Sequence, residues 1–329
     1  GAYHLTLGRN KKSVELDLKS EQGLKLFKEL TEVADVVVDN FSQGVTKRLG
    51  IDHQSLKEVN PKIITCSISG FGDTELNRPA YDNLIQGYAG AMSITGTDKE
   101  NPVKSGIPIA DLGAGLYAVI GILSALQSRD KNDSGEHVDI SMLDTQVSLL
   151  TYMATMHFLS GEDPEPIGNQ HMNHVPFNSY KTSDSFIQIG VVAEDFWPSL
   201  LKALDLQKLD TEENKVRIGR LKNREVIDQA VQGVFITNTT EYWLKILQEH
   251  RVPCGPINTL SETFQDVDLL RRNMIIEVLQ DSGATVKMPG NPVKISNHDE
   301  EFKRAPSLGE HTSEVFKNWL DKDISAEED

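Results

Sequence analysis

The sequence predicts an α/β protein, and three observations carry that prediction. Short apolar runs alternate with amphipathic helical stretches through the first half of the chain. A single aspartate, Asp111, stands on a glycine-flanked turn that feeds a long apolar helix. Composition shifts at Gly161-Glu162-Asp163-Pro164-Glu165-Pro166, a linker ahead of a smaller second unit. With 329 residues, the chain is long enough for two domains.

Taken in order, residues 3–7 read as a strand entered almost at once, and residues 13–18 alternate as a half-buried strand should. Ser20 caps a helix in which Leu24, Phe27 and Leu30 keep helical spacing. Residues 35–39 make a short strand of the buried kind that parallel sheets use. A turn at 40–44 precedes a short helical piece with Lys47, Arg48 and Leu49. A helix around 55–59 is closed by Pro61, and residues 62–69 form a strand stopped by Gly70-Phe71-Gly72. This alternation implies a layer with right-handed crossovers.

A further helix opens at Tyr81 and runs toward Met92. The stretch Gly106-Ile107-Pro108-Ile109-Ala110-Asp111-Leu112-Gly113-Ala114-Gly115-Leu116 then runs into an apolar helix ending near Gln127. Asp111 sits at the turn, where its side chain can cap free backbone N–H groups and the helix dipole favours its ionised form. The small residues 113–115 let a large ligand approach. Residues 137–141 are a strand and 143–159 a helix, with Asp144 as its cap. Beyond the linker, residues 178–181 and 186–190 form a hairpin, followed by helices near 195–204, 211–220, 224–235 and 240–249. Residues 252–257 are stiff and extended because of their prolines. A late strand at 284–288, a terminal helix at 312–320 and a frayed end at 323–329 complete the reading.

The net charge of −16 argues against nucleic acid or an anionic membrane as the main partner. A local basic patch can still hold a phosphorylated molecule. Cys66 and Cys254 lie in separate apolar segments, which speaks for free thiols in a reducing, cytoplasmic setting rather than a disulfide framework. No apolar run approaches the roughly 20 residues of a membrane span. The start has neither the basic region nor the apolar length of a signal peptide.

The residues exclude several chemistries. His171 and His174 are three apart, but no further ligands complete a metal set. There is no Gly-x-Ser-x-Gly elbow, no Walker A loop and no Gly-x-Gly-x-x-Gly. What is left is one carboxylate on a glycine-flanked turn, with Lys19, Asn40, Phe41, Arg48, Arg78 and Tyr81 scattered at strand and helix ends. In an open α/β sheet, ligands bind beyond the carboxyl ends of the strands, where Lys19 and Asn40 are expected.

Together these pieces resemble family III CoA-transferases, the group of formyl-CoA transferase and carnitine CoA-transferase. The resemblance is carried by six stretches in register. They are Asn10 to Lys19, Ala34 to Phe41 with Gly44, Arg48 and Gly50, Ser67 to Gly72, the pair Tyr81-Asp82, Pro108 to Asp111, and the late Leu308-Gly309-Glu310-His311-Thr312. It implies a Rossmann-like CoA-binding domain over 1–160, a smaller α+β domain over 166–290, and a segment 291–329 returning to the first, in an interlocked, ring-like homodimer. It places the catalytic aspartate at Asp111 and contacts to coenzyme A at Leu16, Asp17, Leu18 and Lys19, at Asn40, Phe41 and Ser42, and at Arg48, Arg78 and Tyr81. Arg78 suits the phosphates of coenzyme A, which is a substrate here; no permanently bound cofactor and no metal is implied. The partners implied are an acyl-CoA and a carboxylic acid, with no nucleic acid and no membrane.

The chain departs from the family pattern in two places. It begins after a further N-terminal segment of the family, and it has Gly168 to Asn173 near the place of a glycine-rich loop that covers the acyl group. Within the same superfamily, α-methylacyl-CoA racemase has a catalytic histidine where this chain has Tyr81. A tyrosine with a pKa of about 10 is a poor base at neutral pH, which favours transfer over racemisation. The mechanism implied runs through an aspartyl anhydride and an aspartyl-CoA thioester, with backbone N–H groups at Gly113 as oxyanion donors. An inactive CoA-binding relative is the alternative from a different class.

Overall fold

The computed structural model describes residues 1–74 and 78–322; the frayed end expected at 323–329 lies outside them. The chain divides into two units. The first comprises Gly1–Met92, Lys104–Glu162 and the chain from Val267 onward; the second comprises Ser93–Val103 and Asp163–Asp266.

In the first unit, helix α1 (Ala2–Gly8) occupies the stretch expected as an opening strand. Alternation alone does not make a strand where no partner is present. Leu5 instead packs with Ile276, Val278, Met288 and Phe302, and His4 Nε2 hydrogen-bonds the Pro306 carbonyl at 2.9 Å. Residues 13–17 take no regular secondary structure, Leu18 is in a turn, and none of them joins a sheet. Their polar groups are taken by the late segment: His311 N donates to the Ser13 carbonyl (2.9 Å), Glu15 N to Thr312 Oγ1 (3.0 Å) and Gly309 N to Ser13 Oγ (3.0 Å).

Helix α2 (Glu21–Val33) starts as expected, with Ser20 Oγ accepting from Gly23 N at 2.9 Å. Strand β1 (Val36–Asp39), helices α3 (Val45–Leu49) and α4 (His53–Val59), and strand β2 (Ile64–Ser69) follow. Leu24, Leu26 and Phe27 turn one side of α2 inward, and Leu24 and Phe27 meet a cluster built on Ile51, Leu56 and Ile63. Next come α5 (Asp82–Tyr88), α6 (Ile109–Asn132) and strand β3 (His137–Ser141).

The three strands are parallel in the order β1-β2-β3. Val38, Cys66 and Val138 share one face; Asp39, Ser67 and Asp139 share the other. α6 packs on the apolar face through small residues, and Gly121 lies so close to Val138 that a Cβ would stand 2.6 Å from its Cγ1. It runs to Asn132 rather than to Gln127 and, by length and composition alone, is long and apolar enough to cross a membrane. Interspersed glycines and alanines hide that length when the sequence is scanned for bulky apolar runs.

The helix expected over 143–159 is two helices, α7 (Met142–Leu149) and α8 (Tyr152–Ser160), separated where Thr151 takes φ 51°. The cap of α7 is Ser141, whose Oγ accepts from Asp144 N at 3.0 Å; Asp144 is a first-turn acid and not the cap.

The second unit is built on an antiparallel sheet of β4 (Phe177–Lys181), β5 (Phe186–Gly190) and β6 (Cys254–Pro256). Helices α9 (Phe196–Leu204), α10 (Arg217–Lys222), α11 (Arg224–Phe235), α12 (Thr240–Glu249) and α13 (Leu260–Thr263) accompany it. The helix expected over 211–220 shrinks to α10. Residues before it are held in turns, because Asn214 bonds back to the Leu209 carbonyl (3.0 Å) and gives its own carbonyl to buried Arg220 (3.0 Å).

The return to the first unit comes at Val267, earlier than residue 291. α14 (Val267–Arg271) leads into a hairpin of β7 (Ile275–Leu279), which periodicity did not suggest, and β8 (Thr285–Pro289). This hairpin packs with Leu5 and Phe302 of the first unit. α15 (Thr312–Leu320) closes the described chain.

Candidate functional site

A cleft of about 580 Å³ opens beyond the carboxyl ends of β1, β2 and β3. Its walls are Asn40 to Gln43 after β1, Ile68 to Gly72 at the end of β2, Arg78 to Tyr81 before α5, Met142 after β3, and Asp111, Ala114 and Gly115 on α6. This is where an open parallel sheet holds its ligands. The walls stand close because Gly70 has no side chain: a Cβ there would lie 2.2 Å from the Ala80 Cβ.

Of the sequence-predicted residues, Asn40, Phe41, Ser42, Arg78, Tyr81 and Asp111 meet in this cleft. Phe41 and Tyr81 are exposed, Tyr81 at 70%. Leu16, Asp17, Leu18, Lys19 and Arg48 do not line it. With no strand at 13–18, Lys19 follows none; its N–H instead donates to Asp17 Oδ1 at 3.0 Å in a local turn. Arg48 lies on α3 beside Gly44.

Asp111 is in the first turn of α6, but it is not the cap. Pro108 holds the cap position and offers no side-chain acceptor. The acceptor comes from Asp82 of α5, whose Oδ1 takes the N–H of Ala110 (2.9 Å) and of Asp111 (3.4 Å). Asp82 Oδ2 accepts from buried Gln86 Nε2 at 2.6 Å, and Gln86 Oε1 accepts from Ser105 N at 2.9 Å. This chain of bonds fixes the segment entering α6 and releases the Asp111 side chain for the cleft, where it is open to solvent. Burial on the protein side, and then the negative charge of Asp82, hold the Asp111 carboxyl above the usual aspartate range. Its proton affinity is therefore tuned by the same residue that fixes its backbone.

Gly113 is inside α6 and not on a turn, so it offers no free N–H to an oxyanion. Its bareness lets α7 approach: a Cβ would stand 2.8 Å from Thr145 Cγ2 and 3.2 Å from Leu149 Cδ1. Gly115, by contrast, has open space beside it and lines the cleft.

Sequence reasoning missed two features. One is the capping role of Asp82, signalled only by an acid at a helix start with a glutamine four residues on. The other is a second cleft of about 690 Å³ on the polar face of the sheet, sharing Phe41, Ser42 and Gln43 with the first. There Thr65 Oγ1 lies 2.9 Å from His53 Nδ1 and 2.8 Å from His137 Nδ1. Burial, then His137 and Lys57, push the His53 pKa down. Thr65, Ser67, His137 and Asp139 alternate with apolar residues along β2 and β3, and that alternation is the signal.

The profile of CoA-transferase family III matches residues 1–312. Human succinyl-CoA:glutarate CoA-transferase is 31% identical over 328 residues, covering 98% of this chain and 75% of that protein. Acetyl-CoA:oxalate CoA-transferase of Acetobacter aceti is 32% identical over 323 residues, covering 96% and 82%. The crystal structure of a CAIB/BAIF family protein from Brucella suis superposes with a TM-score of 0.85 at 32% identity, covering 97% of this chain and 84% of that one. The mixed α/β fold, the extent of these matches and the position of the cleft agree: the chain belongs to CoA-transferase family III.

Proposed function

We propose that the protein moves CoA from an acyl-CoA to a carboxylic acid of the dicarboxylate class, with Asp111 as the acyl carrier. The reading rests on one observation above all. A lone carboxylate, its backbone pinned by Asp82, faces an open cleft beyond the strand ends and has no histidine or metal-ligand set among the lining residues. A carboxylate is the nucleophile that exchanges acyl groups without a base.

In the first step an Asp111 carboxylate oxygen attacks the thioester carbonyl carbon. The C–S bond breaks, its electron pair leaves on sulfur, and a mixed anhydride forms. A thiolate whose acid has a pKa near 8.5 leaves without prior protonation. The thiolate then attacks the aspartyl carbonyl carbon, the anhydride C–O bond breaks, and the donor acid departs as its carboxylate, leaving an aspartyl-CoA thioester. The acceptor carboxylate repeats both steps in reverse and returns Asp111 ionised, so no net proton moves. Because the anhydride lies uphill of the thioester, contacts to the remote half of CoA have to contribute at the reacting centre. In this reading Asn40, Phe41, Ser42 and Tyr81 line the pantetheine path and Arg78 meets phosphate.

The partner we infer is a second copy of the chain. Leu112, Leu116, Val119 and Leu123 keep helical spacing on α6 and stand exposed, a continuous apolar row of the kind that marks an interaction surface. A sedimentation experiment that finds a monomer, unaltered by Leu116→Glu, removes that part of the reading.

The chemical test is trapping. Incubation with acyl-CoA followed by hydroxylamine or borohydride is expected to modify Asp111 alone, as mapped by peptide mass spectrometry. Modification elsewhere rejects the assignment. CoA binding without exchange of labelled CoA between acids selects an inactive CoA-binding relative instead.

A further inference from the structure

Arg78 stands in the cleft wall of a strongly acidic chain, and among the described residues no carboxylate takes up its charge. Two aromatic rings do. Its guanidinium carbon lies 4.7 Å from the centre of the Phe71 ring and 4.8 Å from that of Tyr88. The rings meet edge to face, 5.5 Å apart at 81°, so the cation sits in the corner between them. Phe71 is buried at the end of β2; Tyr88 ends α5 and is 56% exposed. That exposure needs a reason, since a tyrosine there contributes little to packing, and Tyr88 is not itself a cleft-lining residue.

We propose that Tyr88 is a positioning residue for the binding of coenzyme A, closing an aromatic corner with Phe71 that holds the Arg78 guanidinium for the phosphates of the nucleotide half. The inference rests on the reading of Arg78 as a phosphate partner. The physical reason is twofold. A guanidinium held by ring faces keeps its N–H donors uncommitted to protein carboxylates, so they are available to a planar or tetrahedral anion. A long side chain that is ordered beforehand also loses less freedom when the ligand arrives. A carboxylate in place of the rings would hold the arginine equally well, but it would spend those donors and repel the ligand.

The test is equilibrium binding of two probes, coenzyme A and pantetheine, which lacks every phosphate. Tyr88→Leu is expected to weaken CoA binding about three- to tenfold, the range of a partly exposed cation–π contact, and to leave pantetheine binding where it was. Tyr88→Phe keeps the ring and is expected to bind CoA as the parent does. In an Arg78→Gln background, Tyr88→Leu is expected to add nothing, since both changes remove one unit. Equal weakening of both probes by Tyr88→Leu, or additive losses in the double variant, overturns the aromatic corner while the role of Arg78 stands. An Arg78→Gln variant that binds CoA as tightly as the parent overturns the phosphate role itself, and the positioning role falls with it.

Discussion

The two units solve the packing problem in different ways. The second has one continuous core, in which Trp197, Phe235, Trp243, Tyr180 and the leucines of α9 meet across a small antiparallel sheet. The first has separate small clusters and leaves much unburied: a cleft at the strand ends, a polar sheet face and the apolar row of α6. Its parallel sheet is short of the double cover that such sheets ordinarily have. The lesson is that the catalytic candidate resides where burial is incomplete. An ionised carboxylate with raised proton affinity is unfavourable to folding, and the first unit carries one at the mouth of its cleft.

The largest expected effect tests that statement directly. Asp111→Asn is expected to lower transfer by about a thousand-fold or more, as loss of a covalent nucleophile does, and to leave CoA binding intact. Stability moves the other way. A carboxyl whose folded pKa is raised disfavours folding when ionised at neutral pH, so the amide is expected not to lower the melting temperature. A variant that is both inactive and markedly less stable would place Asp111 with the structural residues and erase the contrast between the units.

Phe235→Ala addresses the second unit. Phe235 is fully buried, its ring 5.5 Å from those of Tyr180 and Trp243, and its carbonyl accepts from Trp243 Nε1 at 2.8 Å. Truncation is expected to cost about 3–5 kcal/mol, read as a lowered denaturant midpoint of tryptophan fluorescence. That signal is dominated by the second unit, because Trp197 and Trp243 are buried there while Trp319 is exposed. A cost below about 1 kcal/mol would mean that this core is looser than its burial implies.

The same contrast explains what was legible in the sequence. Local signals were read well: the Ser20 cap, the three valines of β1, the strand at β2 and the paired strands β4 and β5 all depend on neighbours along the chain. Asn40, Phe41, Arg78, Tyr81 and Asp111, expected near element ends, do line the cleft, whereas Lys19 and Arg48, expected in the same way, do not; Ser42 comes only from the family resemblance. Most of what failed depended on distant partners. Residues 13–18 have the alternation of a strand, but their backbone is satisfied by the segment around His311 and Thr312. Asp111 has the look of a cap, but the cap arrives from Asp82, 29 residues earlier in the chain. Thr151 at φ 51° breaks a helix that composition alone would continue.

Asp82 gives the third prediction, of intermediate size. Asp82→Asn keeps an acceptor for the N–H groups of Ala110 and Asp111 and removes the charge. In the proposed mechanism the acid limb of kcat/KM reports ionisation of Asp111 and is expected to stand above the ordinary aspartate value of about 3.9. Removing the like charge lowers the Asp111 pKa, so the limb is expected to shift to lower pH. Asp82→Ala also removes the acceptor and is expected to cost about 1 kcal/mol of stability, the usual cost of losing a cap. An acid limb that stays in place in Asp82→Asn would show that burial alone sets the carboxyl.

The smallest effect concerns pH and the histidines of the second unit. His171 and His174 meet at a tilt of 54° with ring centres 4.7 Å apart beside Arg217, Arg220 and Arg224, with Glu194 the acid acting on His174. Burial first, and then the arginines, push the His171 pKa down; for His174 the order is burial, His171 and the arginines, partly offset by Glu194. His174 Nδ1 is buried and has no hydrogen-bond partner among the described residues, so a proton placed there would meet no acceptor. The sign follows from linkage. A histidine whose folded pKa lies below its unfolded value of about 6.5 binds fewer protons in the native state, so stability is flat above that pH and falls as pH drops through it. The midpoint of tryptophan fluorescence is therefore expected to be constant from pH 8 to about pH 6.5 and to decline below. His174→Asn is expected to flatten that decline. His53, shifted down in the first unit, contributes a similar loss there that the buried tryptophans do not see. If the decline in His174→Asn matched that of the parent, the acid sensitivity of the second unit would have to come from a carboxylate whose pKa the fold lowers, with Asp184 the first to test, since the Thr240 N–H and the hydroxyls of Thr182 and Thr240 hold that group below the usual range.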